Sequence, residues 1–276
     1  MAQNYTSQNI QVLEELDAVR LRPGMYIGST GSRGLHHLLW EIVDNAIDEA
    51  ANDHATEISV SLHQDGSASV WDNGRGVPVD PHPQLQISGL EVIYTKLHAG
   101  GKFDHKNYNY SGGLHGVGAS VVNALSKWMT VESFRDWTHW RMRFETMQDK
   151  KTGKALPGRP VTALERVGNT RKRGTLVRFL PDDAIFEDTQ FNGELVARRL
   201  RELAYLNKGL LVKYADERAA PPHNEPRVFQ YGGGITDYVA FLNTDKTALH
   251  EGVIMLEGKR DKLELSCAIQ FTDSYT

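Results

Sequence analysis

The chain has 276 residues, of which 40% are hydrophobic and 24% charged, a composition typical of a folded globular protein of one large or two ordinary domains. A net charge of −4 and a pI of about 6.3 exclude a global electrostatic attraction to phosphate backbones, so any nucleic-acid contact must be local. The single Cys267 excludes an internal disulfide, and neither a signal peptide nor a long apolar run is visible, so we expect a cytoplasmic protein with no membrane partner.

The N-terminal part of the chain has little periodic structure. Residues 1–11 are polar, and we expect a frayed terminus for which Tyr5 and Ile10 are the only anchoring groups. A short helix is predicted at about 12–20. Pro23, Gly24 and Gly28 then indicate a break in regular structure.

A helix predicted from Leu35 to Asn52 is the most informative element. At helical spacing its apolar side contains Leu35, Leu39, Ile42, Val43, Ala46, Ile47 and Ala50. The opposite side contains Glu41, Asp44, Asn45, Asp48, Glu49 and Asn52. The first side is predicted to be core, whereas the second needs a separate explanation.

The charge around this helix is one-sided. Between Arg33 and Arg75 the chain has eight carboxylates and no lysine or arginine, although surface helices normally mix the two signs. One interpretation is a solvated acidic face. The other is a face that meets a cation, most plausibly Mg²⁺ carried by a phosphate ligand and held by oxygen ligands such as Asn45.

Downstream of the helix the pattern alternates between strands, helices and one glycine-rich loop. A hairpin with an Asp65-Gly66 turn is predicted over 57–72, and a helix over 89–98. The glycine-rich segment 99–118 is predicted to be a mobile functional loop that leads into a helix after Gly118. Later segments are predicted as strands at 129–134, 137–146, 174–181 and 210–217, a helix at 191–206, and a polar stretch that contains Pro157 and Pro160.

A linker is predicted at 218–226, where prolines and polar residues cluster. Beyond it, a helix at 235–242 and an alternating strand at 263–271 begin a second unit. We therefore predict two domains, over residues 1–219 and 220–276.

Two short motifs have the composition of ligand-binding sites. Asp72 ends a predicted strand and is followed by Asn73-Gly74-Arg75-Gly76; it is either a turn residue or an acceptor for an exocyclic amine, which would select adenine over guanine. The run 112–118, GGLHGVG, opens a helix whose N–H groups can hold phosphate oxygens. This run is neither a Walker loop nor a convincing dinucleotide fingerprint.

The segments EIVDNAIDEA, DNGRGVP, LHAGGKF, SGGLHGVGASVVNALS and RGTLVRF, in this order, resemble the ATPase region of bacterial type II topoisomerases. The resemblance favours the gyrase B proteins, with the topoisomerase IV B proteins as the near alternative, and it includes VRLRPGMYIGST. It implies an α+β fold: a two-layer sandwich of a mixed, mostly antiparallel sheet with helices on one face, followed by the start of a second α/β domain.

The resemblance also implies catalytic roles. Glu41 corresponds to the general base that activates water for attack on the γ-phosphate of ATP, and His37, one turn earlier, is placed to orient it. His37 is alternatively a structural histidine, because the adjacent His36 shows that histidine here need not be catalytic. Asn45 corresponds to the Mg²⁺ ligand.

The nucleotide contacts that the resemblance implies come from several segments. Asp72 would read adenine, with Thr175 acting nearby through water, and Glu49 would line the site with Asp48 and pair with Arg75. Lys102 would reach the terminal phosphate. The remaining ATP-binding residues are Tyr5, Gly76, Pro78, Tyr108, Leu114, His115, Gly116, Val117 and Gly118. Aminocoumarin inhibitors would contact Asp72, Arg75, Arg135 and Thr175.

The partners implied are those of a DNA clamp. ATP binding would form a homodimer through the N-terminal arm, closing around double-stranded DNA, and the complete protein would join the gyrase A protein in an A2B2 heterotetramer. A second lysine-bearing loop of the family would follow Thr276, so we expect the chain alone to be a weak ATPase. A MutL-like or chaperone-like binding module is disfavoured by HAGGKF and VRLRPGMYIG, and a histidine-kinase domain by Glu41.

Overall fold

The computed structural model describes residues 15–99, 118–221, 224–261 and 263–274. Its helices are α1 (Glu15–Leu21), α2 (Gly24–Ile27), α3 (Ser32–Ala51), α4 (Gly89–Thr95), α5 (Gly118–Ala124), α6 (Gly193–Leu206) and α7 (Ile235–Leu242). Its strands are β1 (Glu57–Leu62), β2 (Ala68–Asp72), β3 (Ser126–Arg135), β4 (Thr138–Gln148), β5 (Ala155–Pro160), β6 (Glu165–Asn169), β7 (Gly174–Pro181), β8 (Leu211–Asp216), β9 (Arg227–Phe229), β10 (Ile254–Arg260) and β11 (Leu263–Ile269).

The first nine strands form one mixed sheet. Its order is β5-β4-β3-β7-β2-β1-β8-β9, and β6 also pairs with β4. The β1–β8 pair is parallel, and the other pairs of this sheet are antiparallel. Helices cover one face, so the predicted α+β sandwich with a mostly antiparallel sheet is confirmed.

The core lies between this face and helix α3. Along β1, Ile58, Val60 and Leu62 are buried and alternate with half-buried residues, as expected for a strand with one covered face. These side chains join Leu35 and Leu39 of α3 in one hydrophobic cluster. The apolar side predicted for the helix therefore packs on the sheet.

Helix α3 is more deeply buried than its pattern predicts. It packs against α2 and α5 as well as β1 and β2, so that more than one stripe of its surface is covered. Helical spacing places Asp48 on the polar side, but this packing leaves it only 1% exposed. The buried side chain has interaction partners. Glu41, Asn45 and Glu49 are partly exposed, as predicted.

The hairpin and its neighbour bring two predicted site residues together. Strands β1 and β2 pair antiparallel, with Gly66 at a φ of 83° in the turn, so the predicted hairpin is confirmed. In the pairing of β2 with β7, Asp72 lies opposite Thr175. Residues more than 100 positions apart in sequence thus become neighbours at one end of the sheet.

Two short regions differ from the prediction. Gly24–Ile27 forms a helical turn where a break was predicted, because Pro23 has helical dihedrals (φ −58°, ψ −35°) and suits a helix start. The polar stretch around Pro157 and Pro160 contains strand β5, and β6 follows it. Strand β5 lies at the sheet edge, where a proline costs no ladder hydrogen bond on the outer side.

After β9, which pairs with β8, the chain leaves the main sheet. Helix α7 occupies the predicted range, and β10 and β11 form a separate antiparallel hairpin. Several of its apolar side chains, such as those of Leu256 and Leu263, are exposed. The domain division after residue 219 stays a prediction. Among the residues described, no helix has the length and apolar character needed to cross a membrane.

Candidate active site

The site forms where the polar side of α3 meets the start of α5. The carboxylate of Glu41 lies directly against Gly118, the first residue of α5: a Cβ at this glycine would be 1.9 Å from Glu41 Oε2. A larger residue at position 118 would therefore displace the carboxylate. The contact places an acidic group beside the N-terminal end of a helix, where the helix dipole is positive.

The two adjacent histidines of α3 have different environments. His37 Nε2 lies 3.4 Å from Glu41 Oε1, and its side chain is 41% exposed. His36 is buried; its Nε2 accepts a hydrogen bond from the Asn192 N–H at 2.9 Å, so Nδ1 carries the proton and donates to Ser32 O at 2.7 Å. His36 thus joins α3 to the start of α6, whereas His37 faces the site.

Asp72 is the buried carboxylate of the site. It ends β2, is 6% exposed, and its Oδ1 accepts a hydrogen bond from the Gly74 N–H at 2.8 Å. Burial raises the pKa of Asp72 to about 7, and the negative charge of Glu49 adds to this effect. The hydrogen bonds from the backbone of Gly74 and Thr175 act in the opposite direction. The carboxylate is therefore poised to change charge near neutral pH.

Glu49 and Arg75 form the ion pair that the sequence predicts. Arg75 donates from Nη2 to Glu49 Oε1 at 2.7 Å and from Nε to Oε2 at 3.1 Å, a bidentate geometry. The Arg75 N–H also donates to Oε2 at 3.0 Å. A Cβ at Gly74 would lie 2.7 Å from Asp72 Oδ1 and 2.8 Å from Glu49 Oε2, so only glycine fits between the two carboxylates.

The end of β3 supports the loop that follows Asp72. Ser133 Oγ donates to Val77 O at 2.7 Å, and Arg135 Nη1 lies 3.5 Å from Gly76 O. Gly76 has a φ of 77°, a conformation that favours glycine. Pro78 is exposed, and its carbonyl group packs against the start of α4.

Three further residues contact this site without having been predicted. Gly174 has a φ of 124°, and a Cβ there would lie 1.7 Å from Asp72 O. Arg173 donates from Nε to Gly74 O at 2.9 Å. Burial raises the pKa of Tyr94, and the negative charge of Asp72 adds to this effect. The RGTLVRF segment was the available signal for Arg173 and Gly174, but it does not reveal their contact with the loop.

The other predicted residues are placed as follows. Asn45 lies one turn after Glu41 on α3 and is half-buried. In the described ranges, no group of three or more His, Cys, Asp or Glu side chains is arranged to hold a metal ion. The predictions for Tyr5, Lys102, Tyr108, Leu114, His115, Gly116 and Val117 fall outside the described residues.

Fold and site together define the class of ATPase domains in which helices packed on one face of a mixed sheet border the nucleotide pocket. The family described as histidine kinase-, DNA gyrase B-, and HSP90-like ATPases matches residues 30–184. This match covers more than half of the sequence, and the chain belongs to that family.

Curated relatives include the B proteins of both gyrase and topoisomerase IV. The chain is 47% identical to the DNA gyrase B protein of Thermotoga maritima, over 99% of this chain and 42% of the relative. It is 52% identical to the DNA gyrase B protein of Haloferax volcanii (98% and 40%) and 50% identical to the DNA topoisomerase 4 B protein of Enterococcus faecalis (99% and 38%). The chain therefore spans about two-fifths of the length of these relatives.

A solved structure with the same fold is the 43K ATPase domain of Thermus thermophilus gyrase B in complex with an aminocoumarin. The TM-score is 0.79 at 39% sequence identity, over 96% of this chain and 64% of that chain.

Proposed function

We propose that the chain binds ATP and hydrolyses it as the ATPase region of a type II topoisomerase B protein, of the gyrase kind. The observation that carries this proposal is the contact of the Glu41 carboxylate with Gly118 at the start of α5, in the same site as the buried Asp72. A topoisomerase IV B protein is the second candidate, because the Enterococcus faecalis relative is as similar as the gyrase relatives.

Base recognition is assigned to Asp72. Its ionised carboxylate accepts a hydrogen bond from the exocyclic amine of adenine, whereas guanine presents a carbonyl oxygen at the corresponding position and is rejected. Thr175, opposite Asp72 in the sheet, assists through water. The Glu49–Arg75 pair, with Gly76 and Pro78, forms the border of the pocket.

Hydrolysis is assigned to Glu41. Its carboxylate accepts a proton from the attacking water, and His37, at 3.4 Å, orients the carboxylate. Phosphoryl transfer needs mainly positioning and charge neutralisation, and the Glu41 carboxylate contributes the positioning of the attacking water. His37 is in this proposal a positioning residue.

Magnesium is assigned to Asn45. A single amide oxygen suits Mg²⁺, which is usually held by one or two protein oxygens together with substrate phosphates and water, and the described residues contain no larger ligand cluster. Bound Mg²⁺ would neutralise phosphate charge. Lys102, Tyr108 and residues 114–118 remain the proposed partners of the phosphates and base, and Tyr5 that of the nucleotide in the second copy of the chain.

The partners follow from the relatives. We propose an ATP-dependent homodimer through the N-terminal arm, which encloses double-stranded DNA, and an A2B2 assembly with the gyrase A protein in the complete protein. Residues 1–219 act as the ATPase domain and 220–276 begin the transducing domain. Aminocoumarin-type inhibitors are assigned to Asp72, Arg75, Arg135 and Thr175, since the related Thermus structure contains an aminocoumarin.

The substitution Glu41→Gln tests the catalytic assignment. The amide keeps the size of the side chain but cannot accept the proton, so we expect ATP binding within about twofold of wild type and turnover lower by about 10²–10⁴-fold. Nucleotide binding is measured with a fluorescent ATP analogue and turnover by phosphate release. Glu202→Gln, the same change at a half-buried position on α6 that pairs with Arg199, is the matched control. Wild-type turnover by Glu41→Gln would reject the assignment.

A further inference from the structure

The sheet face opposite α3 contains a cleft of about 880 Å³. Side chains alternate between the two faces of a strand. Val70 and Asp72 of β2 face the helices, so Trp71 between them faces the other way, as does Leu176 between Thr175 and Val177. The cleft therefore opens on the face of the sheet away from Asp72, and Arg173 lies at its border with the loop that follows Asp72. Its lining includes Trp71, Asn73, Phe134, Lys172, Arg173 and Leu176.

The floor of the cleft is apolar and partly aromatic. Trp71 and Leu176 are direct partners in the β2–β7 pairing, and both are only half-buried although large and apolar. Phe134 comes from the next strand; it is buried, and its ring stacks on His139 at 4.5 Å, so Trp71 and Leu176 provide most of the accessible floor. Such a floor suits a flat apolar ligand, because rings stack on aromatic faces and release water.

Positive charge lies along one wall, in the loop that precedes β7. The Arg173 guanidinium is held by two carbonyl groups, Gly74 O and His54 O, each at 2.9 Å, so this wall is formed before any ligand arrives. Lys172 is exposed and forms no ion pair with any residue in the described ranges. Its ammonium group therefore has full capacity to pair with an anion.

The other polar groups of the cleft have less capacity to bind an anionic ligand group. Asn73 is already satisfied: its Oδ1 accepts the N–H groups of Thr56 and Glu57 at 2.7 and 3.0 Å, and its Nδ2 donates to Thr56 Oγ1 at 2.9 Å. The Asp53 carboxylate is exposed at the rim and disfavours a second negative charge on its side. These contacts leave Lys172 as the main polar determinant and favour a ligand with a single anionic group.

We infer that this cleft is a binding site for a small aromatic acid, with its ring on Trp71, Leu176 and Phe134 and its carboxylate paired with Lys172. A neutral ring of the same shape gains the stacking but not the ion pair. An exposed ion pair is worth up to about 1 kcal/mol, which corresponds to a difference in affinity of about fivefold.

The test uses 2-naphthoate as the probe and 2-naphthamide as its neutral counterpart. Binding to the whole chain is measured by isothermal titration calorimetry, with the active site saturated by a non-hydrolysable ATP analogue. We expect saturable one-to-one binding of 2-naphthoate. The amide should bind about three- to fivefold more weakly to the wild type.

Two substitutions test where the carboxylate of 2-naphthoate binds. Lys172→Ala is expected to lower the affinity for 2-naphthoate about three- to fivefold, to the level of the amide, while Arg171→Ala, the same loss of charge one residue away and outside the cleft, leaves it unchanged. Magnetisation transfer between the naphthoate and Trp71 ring protons is the expected spectroscopic signature and needs no variant.

Three results would overturn the inference. The first is binding that does not saturate. The second is an equal effect of the Lys172 and Arg171 substitutions. The third is displacement of the probe by the ATP analogue, which would place it in the pocket of Asp72. None of these outcomes depends on whether the chain hydrolyses ATP.

Discussion

At the scale of single residues, Asp72 is buried, yet its proposed role in binding adenine favours the ionised carboxylate. A carboxylate that is 6% exposed loses hydration, and two backbone N–H donors compensate only in part, so its pKa rises to about 7. The ionised form accepts a hydrogen bond from an amine more strongly than the protonated form, which keeps only part of its acceptor capacity. Ligand binding and proton loss at Asp72 are therefore coupled.

This coupling predicts the pH dependence of nucleotide affinity. Below pH 7 the carboxyl is mostly protonated and is a weaker acceptor for the adenine amine, so wild-type affinity should fall with decreasing pH, by up to about tenfold per pH unit. Asp72→Asn should bind the nucleotide about ten- to a hundredfold more weakly at pH 8. Its affinity should lack the decrease at low pH that comes from protonation of Asp72. The measurement is the difference between the two pH profiles, which removes the titration of the phosphates. Parallel profiles would contradict the coupling.

Thermal unfolding of the same pair provides the control for folding. The folded-state pKa of Asp72 lies above the ordinary value of 3.8, so the native protein binds this proton more tightly than the unfolded chain does. The stabilisation is fully present below about pH 4 and is lost as the pH rises through 7. Relative to Asp72→Asn, the wild type should therefore lose stability over this interval.

Local sequence predicted some residue contacts and not others. The Glu49–Arg75 pair was implied by the resemblance to the topoisomerase ATPase region, and the one-sided charge of that part of the chain is consistent with it. The contact of Arg173 with Gly74 could not be predicted, since it joins residues 99 positions apart through the β2–β7 pairing. Strand order is set by the packing of the whole sheet, so the local sequence around Gly74 or Arg173 does not predict it.

At the scale of elements, periodicity predicted helices better than edge strands. Helices α3, α6 and α7 have long amphipathic or apolar patterns and were predicted within a few residues of their bounds. Strands β5 and β6 were missed, because β5 contains two prolines and β6 is almost wholly exposed, so neither alternates clearly. Their strand structure comes from pairing with β4.

The contact between α3 and α5 gives a prediction at this scale. In Gly118→Ala the new Cβ would lie 1.9 Å from Glu41 Oε2, the far end of a flexible side chain, which can move at little cost. We therefore expect the free energy of unfolding to change by less than about 1 kcal/mol and turnover to fall about tenfold or more. Gly24→Ala on α2, where a Cβ meets no atom within 4 Å, should leave turnover unchanged. Wild-type turnover in Gly118→Ala would show that Glu41 need not hold this position.

A buried ion pair between elements gives a prediction for stability. Arg20 of α1 donates to Asp182 at 2.5 Å and to Ala124 O at 3.3 Å, with both charged side chains largely buried. Arg20→Ala leaves a buried carboxylate without its cation and should lower the free energy of unfolding by about 3–5 kcal/mol. Lys127→Ala breaks the exposed pair with Asp183 and should cost less than about 1 kcal/mol. Similar midpoints in denaturant for the two variants would contradict this ranking.

At the scale of the whole molecule, an aromatic stack joins the main sheet to the C-terminal unit. The ring of Tyr205, on α6, lies 3.5 Å from that of Tyr231, which follows β9, and 5.0 Å from that of Tyr238 on α7. Phe241 extends the stack, with its ring centroid 5.6 Å from Tyr205. Burial, with the adjacent Tyr231, raises the pKa of Tyr205 to about 12. Arg201 lies over the Phe241 ring, with its Cζ 5.6 Å from the ring centroid, so a cation also borders the stack.

Removal of the Tyr231 ring, which stacks on the central ring of Tyr205, should loosen this junction while leaving the active site intact. Tyr231→Ala removes stacking worth about 0.5–1.5 kcal/mol per ring pair, so we expect amide hydrogen exchange in α7 to become up to about tenfold faster, with β2 and β7 unchanged. Phe271→Ala is the matched control, because that exposed ring contacts His250 and no residue of α6. Equal exchange rates in both variants would mean that the contacts of Tyr238 and Phe241 with Tyr205 hold α7 without Tyr231. Slower α7 exchange on ATP binding in the wild type, but not in Tyr231→Ala, would identify the stack as the path by which the sheet domain moves the C-terminal unit.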